Sequence, residues 1–379
     1  MSEKALRWII NIAGIVCLYA FLAIRILPLF NLVLLEKYVP EYWENTKYGE
    51  LYYFNFIRNF REKDLPKCSV KYRFTDKHPK LEDADILSFG DSFFDFSRMT
   101  TFPEKLGDSL HKRVFYARYD QPLSYLETNH YSNHQKKYLI YETAERFLHE
   151  RFLEPQVAVN TLADDRSTLQ RTMENIRDVA FLYNTELLLS QLLNRSYFTT
   201  HIYSMITTLK FNLFGHIPTT TPKYSTKYDR PWLFGGIQVD DTPRSFYYKH
   251  TQEEIDNYCN NIALLSRQLK EKYDLEMIFM VIPSKYTIYH TLINNDEYNN
   301  FVPRLYAGLE KRNIPLIKFY NEYIDNRDSL LLYYGTDTHW TENGLNIALD
   351  KTLKVFDSID QPEYYANFSN SQQTGSKNQ

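Results

Sequence analysis

The sequence predicts an α/β fold with a central parallel sheet flanked by helices. Three observations carry that expectation. Short apolar runs that stop at Gly or Pro alternate with longer helical patterns from Asp83 onward. A helical and loop-like insertion interrupts the alternation, which then resumes and closes in a helix. The two segments richest in reactive side chains each follow the end of an apolar run, where parallel sheets bind ligands.

The elements follow in order. Asp85 to Phe89 is apolar and stops at Gly90, which suits a buried strand. Phe102 to Lys112 reads as a helix and Arg113 to Ala117 as a second strand. Tyr138 to Tyr141 (YLIY) is the third. Leu275 to Ile282 (LEMIFMVI), stopped by Pro283, is the fourth, and Ile314 to Phe319 the fifth. Thr341 to Phe356 is the closing helix, with Thr341 as its N-cap. The insertion covers about 160–250. Arg171 to Phe214 is helical in pattern, and Thr219 to Arg244 is Thr/Pro-rich and loop-like, a candidate lid or docking surface. The polar segment 361–379 reads as an unstructured tail.

The amino-terminal segment, 1–36, reads as a membrane anchor. Trp8 to Ile24 holds no charge, and a run of roughly 18 to 20 apolar residues is enough to cross a bilayer. Lys4 and Arg7 precede it, which places the amino terminus inside and the rest of the chain outside; Arg25 and Lys37 weaken that bias. A cleaved signal peptide would need small residues after the run, and none follows. Residues 37–80, rich in Tyr, Lys and Glu, read as a juxtamembrane linker, and 81–360 as the main domain.

Composition narrows the function. A hydrophobic fraction of 44% with 24% charged residues marks a globular chain. The net charge of -3, with no dense Lys/Arg block, argues against a nucleic-acid partner. The 32 Tyr and 25 Phe fit core packing, or a cleft that stacks on carbohydrate. No His/Cys cluster has metal-ligand spacing, so neither metal nor cofactor is expected. Cys17 lies in the apolar run; whether Cys68 and Cys259 pair is left open.

Two motifs carry chemistry. Phe89-Gly90-Asp91-Ser92 offers a serine at a strand end, and Asp337-Thr338-His339-Trp340 offers a carboxylate and an imidazole two residues apart. A serine hydroxyl becomes a useful nucleophile when an imidazole takes its proton, and a carboxylate orients that imidazole. Ser92, His339 and Asp337 are therefore the candidate nucleophile, base and orienting acid. An N-cap would also suit Ser92, and a turn would also suit Asp337. Asp91 is assigned to fixing the turn. Arg146, with Glu145 as its ion-pair partner, is a candidate oxyanion donor beside the Ser92 N–H; a surface salt bridge is the alternative. Lys285 and Tyr289 are candidates for contacting a sugar or carboxylate, or for a solvated loop. Trp340 is expected to pack and shape the Asp-His loop.

These segments resemble the SGNH/GDSL hydrolases. Asp337-Thr338-His339-Trp340 is similar to the last block of the membrane-anchored alginate-type O-acetyltransferase relatives, the DHHW-like proteins. Tyr141-Glu142-Thr143-Ala144-Glu145-Arg146 resembles their strand ending in Glu-Arg, and Val281 to Tyr289 their Pro-x-Lys segment ending in Tyr. The Gly and Asn oxyanion donors of ordinary SGNH enzymes have no clear equivalent here. The resemblance implies a flavodoxin-like SGNH fold, a Ser-His-Asp triad and acyl-ester chemistry. It further implies an O-acyltransferase acting on a cell-envelope or exported polysaccharide, held outside the bacterial inner membrane. A membrane-integral O-acyltransferase would pass it the acyl group. A carbohydrate esterase with the same triad, or a non-catalytic partner of such a membrane enzyme, are the alternatives.

Overall fold

The computed structural model describes residues 48–62, 65, 79–95, 99–132, 137–156 and 197–359, together with Trp8, Asn11, Ile12, Gly14 and Ile15. Most of the expected anchor, Cys68, residues 157–196 and the 361–379 tail lie outside them. No helix among the described residues is long and apolar enough to cross a membrane. The chain divides into two compact units. The smaller comprises Met1–Lys47, Phe56–Asn59 and Leu162–His216; the larger comprises Tyr48–Asn55, Phe60–Thr161 and Ile217–Gln379.

The described elements run as follows. Helix α1 is Glu50–Asn55, then strand β1 (Ile86–Gly90), α2 (Phe102–Leu110), β2 (Val114–Arg118), α3 (Pro122–Thr128), β3 (Lys137–Ala144) and α4 (Leu148–Phe152). Helix α5 (Tyr197–Phe214) belongs to the smaller unit. There follow β4 (Lys223–Ser225), β5 (Trp232–Phe234), α6 (Gln252–Tyr273), β6 (Leu275–Ile282) and α7 (Lys285–Tyr289). The chain closes with α8 (Phe301–Glu310), β7 (Leu316–Ile317), α9 (Tyr320–Asn326) and α10 (Glu342–Ile359).

The larger unit is an α/β structure. Its five-stranded sheet has the order β2-β1-β3-β6-β7, and every pairing in it is parallel. Strand side chains alternate between two apolar layers, as the period of two requires. Met277, Phe279 and Val281 face a layer shared with Ile262 and Leu265 of α6 and Leu305 of α8. Ile278, Met280 and Ile282 face the opposite layer, with Phe102 and Leu106 of α2 and Leu345 and Phe356 of α10. Helix α6 starts in a capping box: the Glu254 N–H donates to Thr251 Oγ1 (3.1 Å) and the Thr251 N–H to Glu254 Oε2 (2.7 Å). Such a cap contributes about 1 kcal/mol.

The strand order places the topological switch between β1 and β3, since the chain moves outward from β1 in one direction and from β3 in the other. The crevice beyond the carboxyl ends of these two strands is the expected ligand position. Ser92 follows β1, and Arg146 follows β3.

Several boundaries differ from the sequence expectation for physical reasons. The fifth strand shrinks to two residues, and at its start Pro315 has no N–H to donate to the ladder, though its carbonyl accepts the Phe279 N–H (2.8 Å). Helix α2 ends at Leu110 because His111 adopts a left-handed conformation, φ 53°. Residues 219–244 are not a free loop. Strands β4 and β5 form an antiparallel pair, and Trp232, Leu233 and Phe234 are buried. Nor are residues 48–55 and 60–62 a linker; they pack within the larger unit.

Candidate active site

Gly90 ends β1 because nothing larger fits. A Cβ there would overlap the Glu142 carboxyl, which packs over the turn. Glu142 Oε2 instead accepts the Asp91 N–H at 2.7 Å. Asp91 Oδ1 accepts the Phe93 N–H (3.0 Å), Asp91 O accepts the Phe94 N–H (3.2 Å), and the Tyr116 hydroxyl donates to the same carbonyl (2.9 Å). Asp91 thus fixes the turn that presents Ser92. Glu142 is buried beneath it. Desolvation, and then the neighbouring Asp91, push its pKa well up, with the Arg151 guanidinium opposing.

Asp337 and His339 sit at the tip of a loop closed by backbone bonds. The Tyr334 N–H donates to His339 O (3.2 Å) and the Thr341 N–H to Leu332 O (2.8 Å). The two-residue spacing lets Asp337 Oδ1 accept twice from one residue, from the His339 N–H at 3.1 Å and from Nδ1 at 2.6 Å. The other ring nitrogen, Nε2, lies 2.8 Å from Ser92 Oγ. The fold thus brings the three sequence-nominated residues together as hydroxyl, imidazole and carboxylate. Burial pulls the His339 pKa down. The Asp337 charge and hydrogen bond, followed by Glu50, outweigh burial and the Arg146 charge and raise it above its ordinary value.

The loop itself is held from three sides. Glu62 accepts the Gly335 N–H (3.1 Å) and the Thr336 N–H (2.9 Å). Lys285, fully buried, donates its three ammonium protons to Leu233 O (2.7 Å), Gly335 O (2.6 Å) and Asp337 O (3.1 Å). The Glu50 N–H donates to Asp337 Oδ2 (3.2 Å), and the Glu50 carboxylate receives the Thr338 N–H (3.3 Å) and hydroxyl. Gly335 is needed because a Cβ there would overlap Pro231 O.

Two substrate contacts expected from the sequence are corrected here. Lys285 meets no solvent; its Nζ is saturated by backbone carbonyls. Tyr289 is also buried: its hydroxyl accepts the Leu332 N–H (3.0 Å) and donates to Leu330 O (3.4 Å), while its ring lies 4.6 Å from that of Trp232. Both shape the loop from inside. Glu145 and Arg146 are likewise not a direct ion pair, because the Glu145 carboxylate is occupied by the Ser284 N–H (2.7 Å) and the Tyr298 hydroxyl (2.8 Å). Trp340 is fully buried against Phe93, ring centroids 5.4 Å apart.

Arg146 lines the cleft that holds Ser92, together with Arg118, Asp120, Gln121 and Phe147; its volume is about 480 Å³. The Arg146 guanidinium lies 5.7 Å from the Phe93 ring and 4.8 Å from that of Phe147, and its buried Nη1 has no hydrogen-bond partner among the described residues. A buried donor without an acceptor costs about 1 to 3 kcal/mol.

Glu50, Asp337 and His339 bring candidate metal-ligand atoms within 4.8 Å of one another. Both imidazole nitrogens already make hydrogen bonds, to Asp337 and Ser92, which favours a proton relay over cation ligation. Sequence reasoning missed Glu50, Glu62 and Glu142. Only Glu142 carried a local signal, its place in a strand of otherwise apolar and small residues. Cys259 is a free buried thiol whose pKa burial raises to about 12. Comparison with protein-family models, curated proteins and solved structures finds no match.

Proposed function

We propose that this chain is a serine-dependent acyl-transfer enzyme using Ser92, His339 and Asp337. The carrying observation is the continuous chain of contacts from Ser92 Oγ to His339 Nε2 (2.8 Å) and from His339 Nδ1 to Asp337 Oδ1 (2.6 Å). In this reading His339 Nε2 takes the Ser92 hydroxyl proton as Oγ bonds to an ester carbonyl carbon. The tetrahedral oxyanion is stabilised by Arg146 and the Ser92 N–H, in place of the Gly and Asn donors that the sequence lacks. Collapse breaks the ester C–O bond, and His339 returns its proton to the leaving oxygen. An acceptor hydroxyl then gives its proton to His339 and takes the acyl group, and His339 returns that proton to Ser92 Oγ as the acyl–Oγ bond breaks.

The finer reading is an O-acyltransferase of the flavodoxin-like SGNH type, anchored by its apolar amino-terminal segment on the outer side of a bacterial inner membrane. It moves an acyl group, received from a membrane-integral O-acyltransferase, to a polysaccharide. The Asp-x-His-Trp and Gly-Asp-Ser segments and the strand order support it. The test uses the full chain with a chromogenic acetyl ester, with and without an oligosaccharide acceptor, beside Ser92→Ala. Acetylated acceptor supports transfer, and acetate release alone supports an esterase. Equal rates for the two proteins would leave a non-catalytic role.

A further inference from the structure

Helix α5 has its polarity reversed. Its inward face is hydroxylic: Ser204 and Thr207 are 1% and 8% exposed, and both donate to Phe56 O, at 2.7 and 3.2 Å. Thr208 Oγ1 accepts the Arg58 N–H at 3.0 Å. The outward face is apolar. Met205 is 56% exposed, Leu209 58%, Leu213 63% and Phe214 78%, with Ile202 and Ile206 on the same side. A water-facing helix puts its polar stripe outward and buries its apolar one. Here the hydroxyls satisfy backbone groups of the same compact unit and the hydrocarbon surface is left outside.

The charge pattern indicates the occupant. Within this unit, no Asp or Glu follows Glu186 as far as its end at His216, while Arg195 and Lys210 lie in that stretch. The same compact unit includes Met1–Lys47, with its uncharged Trp8–Ile24 run. Trp8, Ile12 and Ile15 there are exposed as well. An apolar stripe with basic and no acidic neighbours fits the boundary between acyl chains and anionic headgroups. A soluble protein partner would leave the absence of acidic side chains without a role.

We infer that Tyr197–Phe214 is a second membrane-contacting element, lying in the bilayer interface with Ile202, Met205, Ile206, Leu209 and Leu213 in the acyl region. Among the described residues no helix is long and apolar enough to cross a membrane, and α5 is accordingly placed along the interface. It would hold the protein to the surface at a point distant in sequence from the amino-terminal run. The inference is independent of the Ser92 chemistry.

The test places the full chain in vesicles of phosphatidylethanolamine and phosphatidylglycerol containing a lipid with a photoactivatable diazirine on its acyl chain. Mass spectrometry of the digest reads each segment separately. Adducts on Met205, Ile206, Leu209 or Leu213, absent from Ser204 and Thr207, are expected. Replacing phosphatidylglycerol with phosphatidylcholine should lower that labelling several-fold. Leu209→Glu combined with Leu213→Glu should abolish it while labelling of residues 8–24 and the circular dichroism spectrum stay unchanged. Adducts on 8–24 with none on 197–214, or protection of α5 by a cross-linked second copy, would overturn the inference.

Discussion

At the scale of single residues, the proposed acyl transfer makes His339 the group that sets the working pH. It must be neutral at Nε2 to accept the Ser92 proton, so activity falls as the ring protonates. Burial lowers its pKa, but Asp337 and Glu50 carry it above the ordinary 6.5 against the opposing Arg146 charge. The acid limb of kcat/KM is therefore expected above pH 6.5. Glu50→Gln removes one of the raising charges and keeps the backbone bond to Asp337 Oδ2, so the limb should move to lower pH. A pH–rate profile identical to that of the wild type would show that Glu50 does not act on the imidazole. Arg146 gives a second measurement. Arg146→Ala should lower kcat by roughly 10²- to 10³-fold with little change in KM if its Nη1 meets the oxyanion. Lysine should rescue this poorly, since it lacks the planar fork. A change confined to KM would instead make Arg146 a ground-state binding group. Ser92, Asp337 and His339 were legible in the sequence because their geometry is local: a turn after a strand, and two side chains two residues apart. Arg146 was legible only as a position, because its missing partner is a fact of three-dimensional packing.

At the scale of elements, the Asp-His loop is kept in place by groups from other parts of the chain. Lys285 opens α7 just past β6, and from sequence a lysine after a strand end reads as solvated or substrate-facing. Its burial is decided by β5 and the Gly335–Asp337 loop, about which the local pattern carries nothing. Burial lowers its pKa to about 7, with Glu62, Asp337 and Glu50 opposing. Only the ammonium form satisfies all three carbonyls. Lys285→Met leaves these carbonyls without donors and should destabilise the chain by about 3 kcal/mol. Denaturant titration gives that figure. Lys285→Arg should fail to rescue, since a guanidinium cannot direct three donors into a site shaped for a tetrahedral ammonium. Unchanged stability in Lys285→Met would mean that the loop is held by Glu62 and Glu50 alone. The strands themselves were legible to within a few residues, because buried parallel strands are near-continuous apolar runs. Strands β4 and β5 were not, since three-residue strands in a Thr/Pro-rich segment carry no periodicity to detect.

At the scale of the whole molecule, the larger unit begins earlier than its sequence pattern indicates. The alternation of strands and helices starts near Asp83, and the preceding Tyr/Lys/Glu-rich stretch reads as a linker because it has no apolar stripe. Its charges are nevertheless internal ligands. Glu62 takes two backbone N–H groups and a hydroxyl of the Asp337 loop, and Glu50 lies against Thr338. A chain shortened to start at Leu81 would retain every strand of the sheet and all three of Ser92, His339 and Asp337. It would lose both glutamates and the Leu51 N–H that donates to Thr336 O. Each uncapped buried group costs about 1 to 3 kcal/mol. The loop should then detach while the sheet persists. Compared with a chain starting at Lys47, the Leu81 chain should keep its far-ultraviolet circular dichroism but lose at least 100-fold in ester turnover. If both chains turn over the ester equally, the loop is self-supporting and residues 48–62 are the linker that their composition suggests.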